Sequence, residues 1–194
     1  MASQTDVVNL ALTKLGQDRV INISDDTEPA RVIRANWDLT LDYLLSSHPW
    51  KFAIVRAELP ALAAAPLNTW SLQYRLPEEC LKLVQVSTDW IFYSMDVPTF
   101  ELEGGMILTD EGAPLPVRYV TRITNTGLWP PQFARTMAMQ LAADCCEKLT
   151  GSNTKGEKAL VELERTITTA RRMSAIERPP QRPNESSWLR ARGD

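Results

Sequence analysis

The sequence predicts an α+β fold: a four-helix bundle formed by both chain ends, an inserted antiparallel β subdomain, and an extended C-terminal arm. Three observations carry this. Apolar residues recur every three or four positions before Pro49 and again after Pro131. Between those points the period drops toward two, and prolines and turn residues cut the chain into short runs. Past Met173 the apolar pattern gives out and proline and arginine take over. The resulting division is 1–49 and 130–174 for the bundle, 50–129 for the β subdomain and 175–194 for the arm.

The first helix is expected over about 4–15, with Val7, Val8, Ala11, Leu12 and Leu15 on one face. Ser3 or Thr5 is placed to cap it, and Gly16 to stop it. A second helix follows Ser24-Asp25-Asp26-Thr27, with Pro29 in its tolerant first turn and acids near its positive end. Its stripe is Ala30, Ile33, Trp37, Leu41 and Leu44, and it must stop before Pro49, which pushes His48 out of the helical region. Strand-like runs then occupy 52–59, 70–76, 81–86, 90–93, 100–102, 106–109 and 116–120, with Gly104-Gly105 supplying hairpin chemistry. The alanine- and proline-rich loop over 60–68 is expected to pack loosely. After Trp129-Pro130-Pro131 a third helix carries Phe133, Met137, Leu141, Cys145 and Leu149, with Ala134, Ala138 and Ala142 alongside to permit close helix approach. Gly151-Ser152-Asn153 ends it, and a fourth helix shows Leu160, Leu163, Ile167, Ala170 and Met173. Trp50 and Phe52 are expected to anchor the junction between helices and strands by packing on Trp37 and Leu44, with His48 and Pro49 forming the corner.

Composition excludes several function classes. A chain of 194 residues is one folding unit's worth, and 23% charged residues is ordinary for a globular protein. No basic and apolar leader opens it and no apolar run approaches a membrane span, so neither secretion nor membrane insertion is expected. A net charge of -3 argues against a protein whose main work is gripping nucleic acid. That charge is uneven: positions 1–110 hold fifteen acids against eight bases, and 111–194 nine acids against thirteen bases.

The sequence carries few residue patterns suited to catalysis or metal binding. Three cysteines, two of them the adjacent Cys145 and Cys146, offer neither a disulfide framework nor paired zinc spacing, and read as buried free thiols. With His48 the single histidine, a catalytic triad or His-rich metal site has nothing else to draw on. Glu103-Gly104-Gly105-Met106 lacks the lysine and helix of a phosphate loop. No cofactor or metal is therefore expected, and no catalytic residue. Asp89, Asp96, Glu101, Glu103, Asp110 and Glu111 form a run with no basic residue between Lys82 and Arg118. Its plain reading is a solvated face. The functional one is a channel lining or tail-facing surface that repels DNA phosphates and lets a duplex slide, the reverse of contacts that release counterions. In the arm, Pro179, Pro180 and Pro183 forbid a continuing helix, while Trp188, Leu189, Arg190 and Arg192 are residue types suited to an anchor on a neighbouring subunit.

Motif order adds a resemblance. Val8-Asn9-Leu10-Ala11-Leu12 leading to Leu15-Gly16, then Ile23-Ser24-Asp25-Asp26, opens it. The most specific piece is Leu44-Leu45 with His48-Pro49-Trp50-Lys51-Phe52-Ala53 and Arg56-Ala57-Glu58-Leu59. Tyr74-Arg75-Leu76-Pro77-Glu78-Glu79-Cys80-Leu81, Trp129-Pro130-Pro131 with Phe133, and the closing Ser186-Ser187-Trp188-Leu189-Arg190-Ala191-Arg192 complete it. In this order they resemble the tail tubular protein A, or head-to-tail adaptor, family of tailed bacteriophages, along nearly the whole chain. Glu79 stands where that family usually has aspartate before its Leu-Pro strand. The resemblance implies a non-enzymatic structural subunit of the virion neck, assembled in the bacterial host cytoplasm into a twelve-membered ring. Its helical end would meet the portal protein and its β part the tail nozzle or tube, with DNA passing through without sequence-specific binding. Two other readings stand beside it: a virion-associated glycan hydrolase using an acidic pair such as Glu101 and Glu103, and a monomeric DNA-binding helical protein. The second lacks a concentrated basic helix, since Arg171-Arg172 alone is too little.

Overall fold

The computed structural model describes residues 2–67, 70–87, 89–90 and 99–177. It is a mixed α+β protein of four helices and two small antiparallel sheets. Helix α1 (Gln4–Leu15) is opened by a reciprocal cap in which Ser3 Oγ accepts from the Asp6 amide and the Asp6 carboxylate accepts from the Ser3 amide, and it closes on Gly16 at φ 69°. Those bonds also hold the Asp6 carboxyl below its ordinary pKa. Helix α2 (Glu28–Ser46) starts on a Thr27 cap and buries Ala30, Ile33, Trp37, Leu41 and Leu44, the whole expected stripe. Helix α3 (Pro131–Thr150) buries both of its expected rows except Leu149, which is half-buried. Helix α4 (Asn153–Ile176) runs two residues past the predicted boundary at 174, so Ala175 and Ile176 belong to it rather than to the arm.

The predicted stripe of α4 needs correction. Leu160 and Met173 are 52% and 45% exposed, and the face turned inward carries Ala159, Leu163, Ile167, Ala170 and Ser174. Small residues decide the face: Gly156 lies against Cys146 of α3, an approach a bulky residue would forbid. Helix α3 packs against α1, α2 and α4.

Strands β1 (Ile54–Leu59), β3 (Cys80–Val86), β4 (Asp89–Trp90) and β7 (Leu115–Thr121) form one sheet in the order β1-β7-β3-β4. Strands β2 (Leu72–Arg75), β5 (Phe100–Glu103) and β6 (Met106–Thr109) form the other, ordered β2-β6-β5. Glu103 pairs with Met106 across Gly104 and Gly105, both at positive φ, which is the two-residue hairpin turn the glycines foretold.

Alternation along the central strands divides the four-stranded sheet between two cores. Val84 and Val120 point into the helical core, whereas Leu83, Val117 and Tyr119 join Tyr74, Ile107 and Leu115 in the core of the strand lobe. The sequence pattern predicts a β subdomain inserted between the two helical parts. One sheet face completes the helical core, so the two parts share packing across β3 and β7.

Candidate functional site

The helix-to-strand joint is held by a buried aromatic cluster and by hydrogen bonds. Trp50 is 1% exposed and its indole Nε1 donates to the Leu44 carbonyl at 2.8 Å, which also accepts the Ser47 hydroxyl at 2.8 Å. One carbonyl near the end of α2 thus gains two donors where the helix itself has none to offer. Phe133 of α3 lies edge-on to Trp50 at 5.1 Å, to Phe52 at 4.8 Å and to Trp129 at 5.1 Å, so one ring gathers three others. Trp37 stacks on Trp129 at 6.0 Å. The expected packing of Trp50 and Phe52 on Trp37 is therefore relayed through Phe133 and Trp129; the bond to Leu44 is direct. Pairs of this geometry add about 0.5–1.5 kcal/mol beyond area burial.

His48 lies edge-on to Trp50 at 4.9 Å. Burial, and then the positive charges of Arg171, Lys82 and Lys51, push its pKa down to about 4, so it is a neutral ring at pH 7. Pro49 follows it, half-buried at the corner.

Polar bonds that sequence reading missed fasten the same joint. Arg122, just past β7, donates to Asp42 at 2.6 Å and to Asp38 at 2.8 Å, both on α2. Lys82 of β3 donates to the Ser46 carbonyl at 3.0 Å, and the Lys51 amide to Ser174 of α4 at 3.1 Å. Asp38 and Asp42 one helical turn apart were the available signal, since carboxylates at that spacing share a face and can grip one guanidinium. On the far side of α3, Glu162 of α4 accepts from Lys14 of α1 at 2.7 Å and from Arg135 of α3 at 3.1 Å, which holds its carboxyl below the usual range.

The acidic run is brought together only in part. Glu101 and Glu103 lie two apart on exposed β5, and Asp110 and Glu111 follow β6. Asp89 is in β4 of the other sheet, and Asp96 lies outside the described residues. Local work occupies several of them. Glu101 accepts the Trp70 indole at 3.0 Å; Asp110 accepts the Ser71 amide and hydroxyl at 2.9 and 2.8 Å, which lowers its pKa; the Glu111 carbonyl accepts the Tyr74 hydroxyl at 2.7 Å.

Burial, and then Asp144, push the Cys145 thiol up to about 12, so it stays protonated. Among the described residues no cluster of three or more His, Cys, Asp or Glu could hold a metal ion, and no helix is long and apolar enough to cross a membrane. The arm residues Pro179, Pro180, Trp188, Leu189, Arg190 and Arg192 lie outside the described residues. No family model matches the chain, and no curated protein matches it.

Proposed function

We propose that this chain is a structural ring subunit of a bacteriophage neck, joining the portal to the tail nozzle or tube, and that it performs no catalysis. The observation that carries the reading is the joint: helices and strands share one sheet between two cores, locked by Trp50, Phe52, Phe133 and the Arg122 clamp. A subunit that passes load from one neighbour above to another below needs two chemically distinct ends that cannot hinge. The order of the sequence motifs supports the same assignment.

In this reading the four helices act as a bundle against the portal, and twelve copies close the ring. The strand lobe faces the tail, its carboxylates Glu101, Glu103, Asp110 and Glu111 toward the channel or the tail, where negative charge keeps passing DNA from sticking. The segment over 178–194 reaches a neighbouring subunit or the portal. Virion localisation follows from the assembly.

The test is electron microscopy of the purified chain, alone and mixed with the portal protein of the same phage. Rings stacked coaxially on the portal are expected, with symmetry read from top views. A chain that stays monomeric in both samples overturns the reading.

A further inference from the structure

Two outward helix faces remain unexplained by either core. On α2, Ala35, Leu39 and Tyr43 fall at spacings of four on the side away from the buried stripe, with Leu39 75% and Tyr43 62% exposed, while Val32, one turn earlier, packs against the helical core. A helix whose second face is also apolar is covered by something else. The acids Glu28, Asp38 and Asp42 flank that row. On the other side of the helical layer, α3 and α4 enclose an open groove of about 860 Å³ lined by Arg135, Lys158, Val161, Arg165 and Thr169, among others. Val161 is 50% exposed within it.

The two features lie on opposite sides of α3. Thr40 of α2 bonds to Asp144, whereas Gly156 of α4 lies against Cys146. Residues two apart on a helix point roughly 200° away from each other. One molecule therefore cannot bring its own α2 face to its own groove, but a second copy can bring its α2 to it.

Register and charge agree. Glu28, Ala35 and Asp42 recur every seven residues along α2, and Lys158 and Arg165, both lining the groove, stand seven apart on α4, a spacing of roughly 10.5 Å in each. Equal seven-residue rows are what two helices crossing at about 20° can keep in step. The charges facing the α2 row are Glu28, 4.0 Å from Lys148 of α3, then Asp38 and Asp42, both bonded to Arg122, and Arg31, held by Asp26. Those facing the groove are Arg135, Lys158 and Arg165 with Glu157 and Glu162, the last already held by Lys14 and Arg135.

We infer that the α2 face of one copy seats in the α3/α4 groove of the next, with Leu39 and Tyr43 on Val161 and the acidic flank beside Lys158 and Arg165. Such a contact is heterologous, so repeated rotation closes a ring or runs on as a filament. The inference rests on the ring reading above and names the surface that builds it.

Disulfide trapping tests it. A chain carrying both Leu39→Cys and Val161→Cys should give, on mild oxidation, a covalent ladder of dimers, trimers and higher species. The two single variants mixed together should stop at dimers. Leu39→Asp should leave the melting temperature unchanged and abolish rings in negative stain, while Leu67→Asp, on a fully exposed side chain of the strand lobe, should keep them. Rings that persist in Leu39→Asp, with no ladder in the double variant, overturn this interface while leaving the ring reading standing. Protection of Leu39 by the portal instead of by a second copy also overturns it. A parent chain that never forms rings, alone or on its portal, overturns both.

Discussion

Replacing Trp50 separates a joint that carries load from one that is merely covered. Trp50→Ala empties a fully buried position and removes the edge contacts to Phe133 and His48. Loss of a large aromatic from a core costs about 3–5 kcal/mol. The lost indole bond adds little, because the Leu44 carbonyl keeps the Ser47 hydroxyl and is not orphaned. For a chain of this size each kcal/mol moves the melting temperature by about 2–4 °C, so a fall of roughly 6–20 °C is expected. Trp50→Phe keeps a ring against Phe133 and gives up the donor and some volume, about 1–2 kcal/mol. Leu39→Ala, on a side chain 75% exposed, should stay within about 0.5 kcal/mol of the parent. Circular dichroism melts of the three variants give the answer. A Trp50→Ala shift no larger than that of Leu39→Ala, or a Trp50→Phe cost equal to that of Trp50→Ala, would refute the reasoning that the ring cluster locks the joint.

Asn9→Leu should cost about 2–3 kcal/mol in urea unfolding, because the buried Asn9 amide accepts from the Val20 amide at 2.8 Å and donates to its carbonyl at 2.9 Å, leaving both groups unpaired when it goes. Gly156→Ala should raise stability by about 0.5–1 kcal/mol: the position is helical, and an added Cβ meets Cys146 Sγ at 3.7 Å, an ordinary contact. A Gly156→Ala chain that melts lower than the parent would mean that helix approach is tighter than that distance. The His48 pKa is lowered in the fold from 6.5 to about 4, so the unfolded chain binds the proton first. Its contribution is complete above about 6.5 and lost as pH falls toward 4; melting curves at stepped pH should show His48→Gln shrinking the decline over that window. Zymography on peptidoglycan should show no clearing, and clearing abolished by Glu101→Gln would install the hydrolase reading in its place.

Helices and strands were legible because each is signalled locally. Ser3, Gly16, Thr27 and Gly151 mark helix ends through caps the backbone demands, and the paired glycines at 104–105 name their own hairpin. The face of α4 was legible at Leu163, Ile167 and Ala170 and misread at Leu160 and Met173. Leu160 and Met173 look like core residues by type, yet Ala159 and Ser174 take the inward positions beside Leu163, Ile167 and Ala170, because close approach to α3 gains more contact than a larger side chain held farther away. Of the joint, Trp50, Phe52 and the corner at His48-Pro49 were visible as an aromatic run at a helix end. Phe133 and Trp129 belong by sequence to α3 and its entrance, and only tertiary structure brings them from so far along the chain to meet the aromatics that follow α2. Arg122 was invisible for the same reason: the spacing of Asp38 and Asp42 on α2 marks a face able to grip a guanidinium, and nothing near position 122 says which arginine comes to it.

A head-to-tail ring sets a demand on each subunit that a two-fold dimer does not. Every copy is gripped on two opposite sides at once, and any give between them accumulates around the circle. If α2 and the α3/α4 groove are those two sides, the force between them crosses α3. That helix buries Ala134, Met137, Ala138, Leu141, Ala142 and Cys145, and small residues there let neighbouring backbones sit close, with little slack to absorb strain. Its N-terminal turn carries Phe133, the ring that also holds Trp50 and Phe52 at the strand joint. A lateral pull on α2 or α4 thus reaches the strand lobe through α3 and Phe133. Phe133→Leu should therefore weaken more than the fold: melting should fall by about 1–3 kcal/mol equivalent, and rings that still form should vary in subunit number where the parent's do not. Class averages of top views count this directly, and a uniform ring from a destabilised Phe133→Leu chain would show that α3 does not set the angle between neighbours.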